Sequence, residues 1–309
     1  MKCGIIDIGS NTIRLCVYEC EGKMARPIFS KKETVGLAGY VKNGALSKKG
    51  IESCVNALQS FQMITDNLHL DRLCVFATAS LRNVKNTDEA VRQIYEKTGL
   101  AVEVILGREE ALLDFSGATR AVEMKRGLLV DIGGGSIELV AYDGGAILQA
   151  ASMDIGSLSL YSRCVEYFFP TREEREKIRD LTARKLHEVT EFQNMTFRHI
   201  CGVGGTIRNA CKLYNFVNNC PKENLRFPSK AVKELLELFK HPDKEALELL
   251  LRVAPDRIHT LIPGMLALKE IVDYFKIEEI QVSPYGVREG YLYDRILEGG
   301  RQNDPILRE

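Results

Sequence analysis

The sequence contains no run of about 18 apolar residues, so no segment is long enough to cross a bilayer as a helix. It has no excess of either charge, with Lys plus Arg and Asp plus Glu at 42 each. That balance excludes a general pull toward nucleic acid or an anionic membrane, so an anionic ligand must be caught by local groups. The opening MKCGIIDIG enters a strand pattern at once and leaves no room for the apolar centre of an export signal. No C-x-x-C pair occurs, and nine cysteines cannot all pair internally. Most lie in apolar runs such as LCVFATAS and HICGVGG, which reads as free thiols packed as small hydrophobes in a reducing cytoplasm. Cys16 and Cys20 have no histidines at ligand spacing and are read as core. The histidines, at 69, 187, 199, 241 and 259, are scattered and read as ordinary surface or core residues.

What is present is a soluble globular composition, 45% hydrophobic and 27% charged, over 309 residues. That length suits two domains of roughly 150 residues each. The chain also writes one pattern twice. CGIIDIGSNTIRLCVY at residues 3–18 aligns without gaps on GLLVDIGGGSIELVAY at residues 127–142, with Asp7 on Asp131, Gly9 on Gly133 and Tyr18 on Tyr142. Each copy reads as strand, Gly-containing turn and strand. The first continues through a helix from Ser47, a buried strand RLCVFATAS, a helix capped by Thr87 and stopped at Gly99, a strand AVEVIL and the helix GREEALLDFSGATRAV. After EMKRG the second copy continues with a strand near 146–153, a charged helix from Thr171 to about Phe192, and a strand, Gly-rich turn and helix in RHICGVGGTIRNAC. Helices at 229–239 and 264–275 and a strand, turn and helix in IEEIQVSPYGVREGYLYDRILEG close it. The expected fold class is α/β, with duplicated domains at 1–124 and 125–309 around a ligand-binding cleft.

A Gly-rich turn lets backbone N–H groups converge on an anion because no side chain stands in the way. Gly133, Gly134 and Gly135 are the stronger case; Gly9, Ser10, Asn11 and Thr12 add hydroxyl and amide donors. A plain hairpin turn is the competing reading of either alone. If the second turn is centred on residues 134 and 135, Asp131 faces Glu138 across the strands. Two facing carboxylates repel unless a cation lies beside them, and a hard ion such as magnesium answers that need. The same register in the first hairpin sets Asp7 opposite Arg14. Glu110, in GREEALL, is either a base near this centre or an acid favoured by the positive end of its helix.

The segments DIGSNTIRL, ATASLRNVKN, GREEALL, DIGGGSIELV, GVGGTI and PYGVREGYL occur in the order found in the exopolyphosphatase and guanosine pentaphosphate phosphohydrolase family, which the chain resembles from about residue 3 to residue 298. The resemblance implies the sugar kinase, actin and heat-shock ATPase superfold, with two ribonuclease H-like domains flanking a phosphate-binding cleft and the last helix packing back on the first domain. It implies Glu110 as the catalytic carboxylate and Arg82 as an arginine reaching the substrate phosphates, with Asn86 a companion. It implies Asp131, Glu138 and Asp7 as acids of a magnesium or manganese site. Gly9, Ser10, Asn11, Gly133, Gly134, Gly135 and Ser136 match the phosphate loops, Gly204, Gly205 and Thr206 a third loop, and Arg288 with Glu289 a closing motif. Longer members carry a further helical domain with a His-Asp pair, and no His-Asp dipeptide occurs here. The expected activity is therefore exopolyphosphatase action on shorter chains of inorganic polyphosphate, in a cytoplasmic protein that forms a homodimer or stays single. The alternatives are a guanosine pentaphosphate phosphohydrolase, a kinase of the same superfold, or a sensor without turnover.

Overall fold

The computed structural model describes residues 1–241 and 243–299. The repeat seen in the sequence becomes a repeat of topology. β1 (Lys2–Ile8), β2 (Thr12–Glu21) and β3 (Met24–Thr34) form an antiparallel meander. A small hairpin of β4 (Val41–Lys42) and β5 (Ala45–Leu46) leads to α1 (Lys48–Leu68), whose N-cap Ser47 accepts the Gly50 N–H. β6 (Arg72–Ala77) then lies parallel to β1. α2 (Ala79–Arg82) and α3 (Thr87–Thr98) bring β7 (Val102–Val104) alongside β6, and the five-stranded order is β3-β2-β1-β6-β7. After α4 (Gly107–Thr119) the pattern restarts. β8 (Arg126–Ile132), β9 (Ile137–Asp143) and β10 (Ala146–Met153) repeat the meander. α5 (Ser157–Cys164) and α6 (Arg172–Glu188) precede β11 (His199–Val203), which is parallel to β8. α7 (Gly204–Val217), β12 (Arg226–Pro228), α8 (Lys230–Glu237), α9 (Lys244–Val253), α10 (Leu261–Phe275) and β13 (Glu279–Val282) complete the second sheet, in the order β10-β9-β8-β11-β13-β12. Each sheet has the meander-then-parallel arrangement of a ribonuclease H-like domain.

The helices are shared across the two halves. α4 belongs in sequence to the first repeat, yet Ala111, Phe115 and Ala118 pack on Leu129, Val140 and Cys201 of the second sheet. The closing helix α11 (Val287–Tyr291), which runs on into a π-helical turn at Leu292–Leu297, returns to the first sheet. Tyr291, Leu292 and Ile296 cover Cys3, Ile5 and Phe76 there, with Phe76 and Tyr291 stacked at 4.8 Å. A cut at residue 124 would thus part α4 from the sheet it covers. α4 and α11 cross so tightly that a Cβ on Gly290 would stand 1.9 Å from the Leu113 carbonyl oxygen. The crossing fixes the height of Glu110, which lies in the first turns of α4.

Two local expectations need correction, and one strand was not foreseen. The N-cap of α3 is Asn86, not Thr87, whose hydroxyl instead donates to the Leu81 and Val84 carbonyls. The charged helix ends at Glu188, and a separate short turn covers Thr190–Phe192. β3 escaped the periodicity because it is an edge strand, exposed over most of its length, and Pro27 sits where the β2–β3 register shifts. Edge positions and bulges are where a strand tolerates proline.

Candidate functional site

The two hairpins turn in the same way. Gly9 N–H donates to the Thr12 carbonyl and Gly133 N–H to the Ser136 carbonyl, both at 3.0 Å. Their carbonyls are held from behind. Val35 and Gly36 N–H donate to the Asn11 carbonyl, and Leu158 and Ser159 N–H, at the start of α5, donate to the Gly134 carbonyl. Among the described residues no backbone acceptor takes the N–H of Ser10, Asn11, Gly134 or Gly135. Those four amides are the donors a phosphate would use. The turns also meet: a Cβ on Gly135 would fall 2.4 Å from Ser10 Oγ and 3.0 Å from Ala79 Cβ, so only glycine lets them approach.

Beside that contact lies a cavity of about 330 Å³. Asp7, Gly9, Ser10, Asn11, Glu110, Asp131, Gly133, Gly134, Gly135, Ser136, Gly204 and Gly205 all line it. Glu138, Arg82 and Thr206 do not. Register explains the first: Asp131 stands opposite Glu138, as the turn geometry requires, but Glu138 is fully buried beneath the hairpin and accepts the Ser152 hydroxyl at 2.8 Å. Arg82 is turned away from the expected phosphates, donating to Glu110 Oε2 at 2.7 Å and to the Ile105 carbonyl at 3.0 Å, with Glu138 Oε1 at 3.7 Å. Asn86 is likewise structural, clasping the backbone of Leu46. Thr206 is buried, and its hydroxyl donates to the Ile132 carbonyl. Asp7 faces Arg14 in the strand register, but its recorded ion pair is with Arg288 at 3.9 Å.

Of the cations of this cavity only Arg14, opposite Asp7, and Arg288, in the closing motif, stood out in the sequence, neither of them as part of a cluster. Arg14, Lys32, Arg208, Lys212, Arg257 and Arg288 reach it from both sheets and from the segments that follow them. The one local signal was Arg208 and Lys212, four residues apart on the helix that starts at Gly204 and hence on one face. The Arg208 guanidinium is pushed down to about 10 by burial and by Arg288, and burial lowers Arg257. Clustered, partly desolvated cations are a natural anion site.

The acids are displaced in the opposite sense. Burial pushes Glu110 up to about 7, against the pull of Arg82, and Asp131 and Asp7 add to the rise. Asp131 is pushed up to about 6 by burial, against Arg208 and Arg257. Glu138 is raised well above the usual carboxylate range by burial and by Glu110. A carboxylate poised near neutrality at a cavity wall has the properties of a general base.

Among the described residues no group of three His, Cys, Asp or Glu side chains is close enough to hold a metal. A cage of Asp131, Glu138 and Asp7 is therefore not assembled: Glu138 does not line the cavity, and Asp7 is paired with Arg288. Magnesium often uses only one or two carboxylates plus substrate oxygens. Asp131 fits that smaller role: it lines the cavity, and its Oδ1 is buried without a hydrogen-bond partner. Gly204 holds Asp131 in place, since at its φ of +80° a Cβ would lie 1.9 Å from Oδ1. Gly204→Ala is expected to displace Asp131 and strain the backbone, at a cost of about 1–3 kcal/mol in stability. Denaturant melts of both proteins check this; an unchanged midpoint would contradict it.

Comparison with known proteins gives this geometry its context. The model of the Ppx/GppA phosphatase family matches residues 16–298. A bifunctional 3-dehydroquinate synthase/phosphatase of Fusobacterium nucleatum is 30% identical over 316 residues, covering 95% of this chain. The chain spans only 46% of that relative. Exopolyphosphatase 1 of Mycobacterium tuberculosis is 24% identical over 307 residues, covering 96% of this chain and 88% of its own. The crystal structure of a Cytophaga hutchinsonii exopolyphosphatase superposes with a TM-score of 0.86 at 22% identity over 97% of this chain and 99% of that one, a likeness of fold. The Aquifex aeolicus Ppx/GppA family member superposes at 0.77 with 25% identity, over 96% and 98%. With a family match over nearly the whole length and twin Gly turns meeting beside a buried glutamate, the chain belongs to the Ppx/GppA phosphatase family.

Proposed function

We propose that the protein hydrolyses the terminal phosphoanhydride bond of inorganic polyphosphate and releases orthophosphate. The observation that carries this reading is the joint presence, in one cavity, of Glu110, four free turn amides and six cationic side chains. The end phosphoryl group lies against the amides of Ser10, Asn11, Gly134 and Gly135, which take up charge on its outer oxygens as the bond breaks. Arg208, Lys212 and Arg257 hold the oxygens of the next phosphates. Glu110 orients a water in line with the end phosphorus and takes its proton. Arg82 is a positioning residue: it touches Glu110, not substrate, and fixes both the direction and the proton affinity of that carboxylate. Asp131 would hold a magnesium or manganese ion together with substrate oxygens, and such an ion, when bound, supplies Lewis-acid neutralisation of phosphoryl charge.

The turn amides and Glu110 would meet the end of an inorganic chain and the triphosphate end of guanosine pentaphosphate in the same way. Phosphate release by the pure protein with magnesium should be followed separately on tripolyphosphate, long polyphosphate, guanosine pentaphosphate and ATP. Release from polyphosphate without any added acceptor supports the reading and speaks against a kinase. Binding of all four without release would instead describe a sensor. Arg208→Met tests the cation cluster. Losing a charge-assisted contact worth about 1.5–3 kcal/mol should raise KM roughly 10- to 100-fold with a smaller change in kcat. An unaltered KM would remove Arg208 from substrate contact.

No helix among the described residues is long and apolar enough to cross a membrane.

A further inference from the structure

Lys32 and Asp256 both line the phosphate cavity, yet they come from different halves of the molecule. Lys32 is on β3, the outer strand of the first sheet, and Asp256 is in a single 3₁₀ turn, Pro255–Arg257, just ahead of α10. Their side chains form an ion pair through Lys32 Nζ and Asp256 Oδ2. Both remain about one-third exposed, at 30% and 34%, so the pair stands where the cavity meets solvent. The next residue, Arg257, runs inward: a Cβ on Gly205 would lie 1.9 Å from its Nη2. The bridge thus joins the two halves at the rim of the cavity, beside Arg257.

We propose that the Lys32–Asp256 pair is a latch across the cavity mouth that sets substrate length. This rests on the polyphosphate reading above. A chain short enough to lie wholly within the cavity lets the latch close behind it. A longer chain, or one ending in a nucleoside, stays bound only with the latch held open, and loses the energy of the pair for as long as it is bound. The penalty falls on affinity for long substrates and spares short ones. Exposed ion pairs contribute about 0.2–1 kcal/mol, so the preference at stake is roughly 1.4- to fivefold.

Charge alone could imitate part of this, because Asp256 also repels a polyanion. The experiment therefore pairs Asp256→Asn with the double variant Lys32→Met/Asp256→Leu, which removes the bridge and leaves net charge unchanged. Affinities for tripolyphosphate and for a long polyphosphate are measured by equilibrium dialysis, with all proteins carrying Glu110→Gln so that turnover does not interfere. The latch predicts that the ratio of long-chain to tripolyphosphate affinity rises about 1.4- to fivefold in both variants. A rise in Asp256→Asn alone would identify simple repulsion and overturn the latch, as would an unchanged ratio in both. Binding of neither phosphate by any of the proteins would overturn the polyphosphate reading itself, a result distinct from an unchanged ratio.

Discussion

Glu110→Gln is expected to lower kcat on polyphosphate by about 10²–10⁴-fold while KM stays within a few-fold of its original value. The amide keeps the size and much of the hydrogen bonding of the carboxylate but cannot take a proton from water. The remaining site is untouched, since the turn amides and the cavity cations lie on other elements. The loss should therefore sit in the chemical step. Unchanged turnover would mean that Glu110 is only a helix-terminal acid, and a matching rise in KM would mean that it binds instead of reacting. Measuring phosphate release and substrate affinity separately decides among these outcomes.

Arg82→Met is expected to have the next largest effect, and the effect should depend on pH. The guanidinium lies between two buried carboxylates, 2.7 Å from Glu110 and 3.7 Å from Glu138. In the native protein burial has already pushed Glu110 up to about 7, with Arg82 the main force holding it down. Activity that needs the ionised base should thus rise with pH through about 7. Without Arg82 that limb moves to higher pH, and at neutral pH much of the protein carries a protonated, inactive Glu110. Arg82→Lys should move the limb back part of the way, which a merely structural role would not do.

Stability follows the same sign. A carboxyl group whose pKa is higher in the folded than in the unfolded state contributes stability fully present below its unfolded value, near 4.5 for Glu110. That contribution is lost as pH rises through the folded value. Removing Arg82 raises the folded value further, so the variant should lose most at alkaline pH, where the buried Glu110 charge is left without its partner. Breaking such a buried pair typically costs about 3–5 kcal/mol. Denaturant melts at pH 5.5 and pH 8 should show a larger gap between native and variant proteins at pH 8. An equal gap at both would contradict the account of the Arg82 cluster.

These expectations also mark how far the sequence could be read. The duplicated hairpins were legible because a strand, a Gly turn and a strand leave a local pattern, and Asp131 opposite Glu138 follows from turn length alone. Glu138 stands in the expected register but does not line the cavity. Register tells which residue stands opposite which, but not how deep the hairpin lies beneath its neighbours. Arg82 does not line the cavity either, since its partners Ile105 and Glu110 are remote in sequence and hold it beside Glu110. The cation cluster was the larger omission. Arg14, Lys32, Arg257 and Arg288 come from four separate segments, and only folding assembles them. A neutral total charge concealed the cluster, and Asp7, Glu110, Asp131 and Asp256 stand among these cations in the same cavity.

The exchange of α4 and α11 between the halves was beyond local pattern as well. Apolar residues on α4 face in two directions, Leu113 toward the first core and Phe115 toward the second. A helix covered on both sides loses the single-faced stripe by which helices are usually read. Its central position nevertheless has a chemical consequence. It carries Glu110 to the junction of the two sheets, where the twin turns meet.

Hydrolysis in ¹⁸O-enriched water tests the central claim most directly. Incubation of the pure protein with magnesium and tripolyphosphate, followed by mass analysis of the orthophosphate formed, should give product carrying one solvent oxygen, with almost none formed by Glu110→Gln. Orthophosphate formed at equal rates by the two proteins, or no orthophosphate from either, would contradict a cavity in which Glu110 directs water at a phosphoanhydride held by the twin turns.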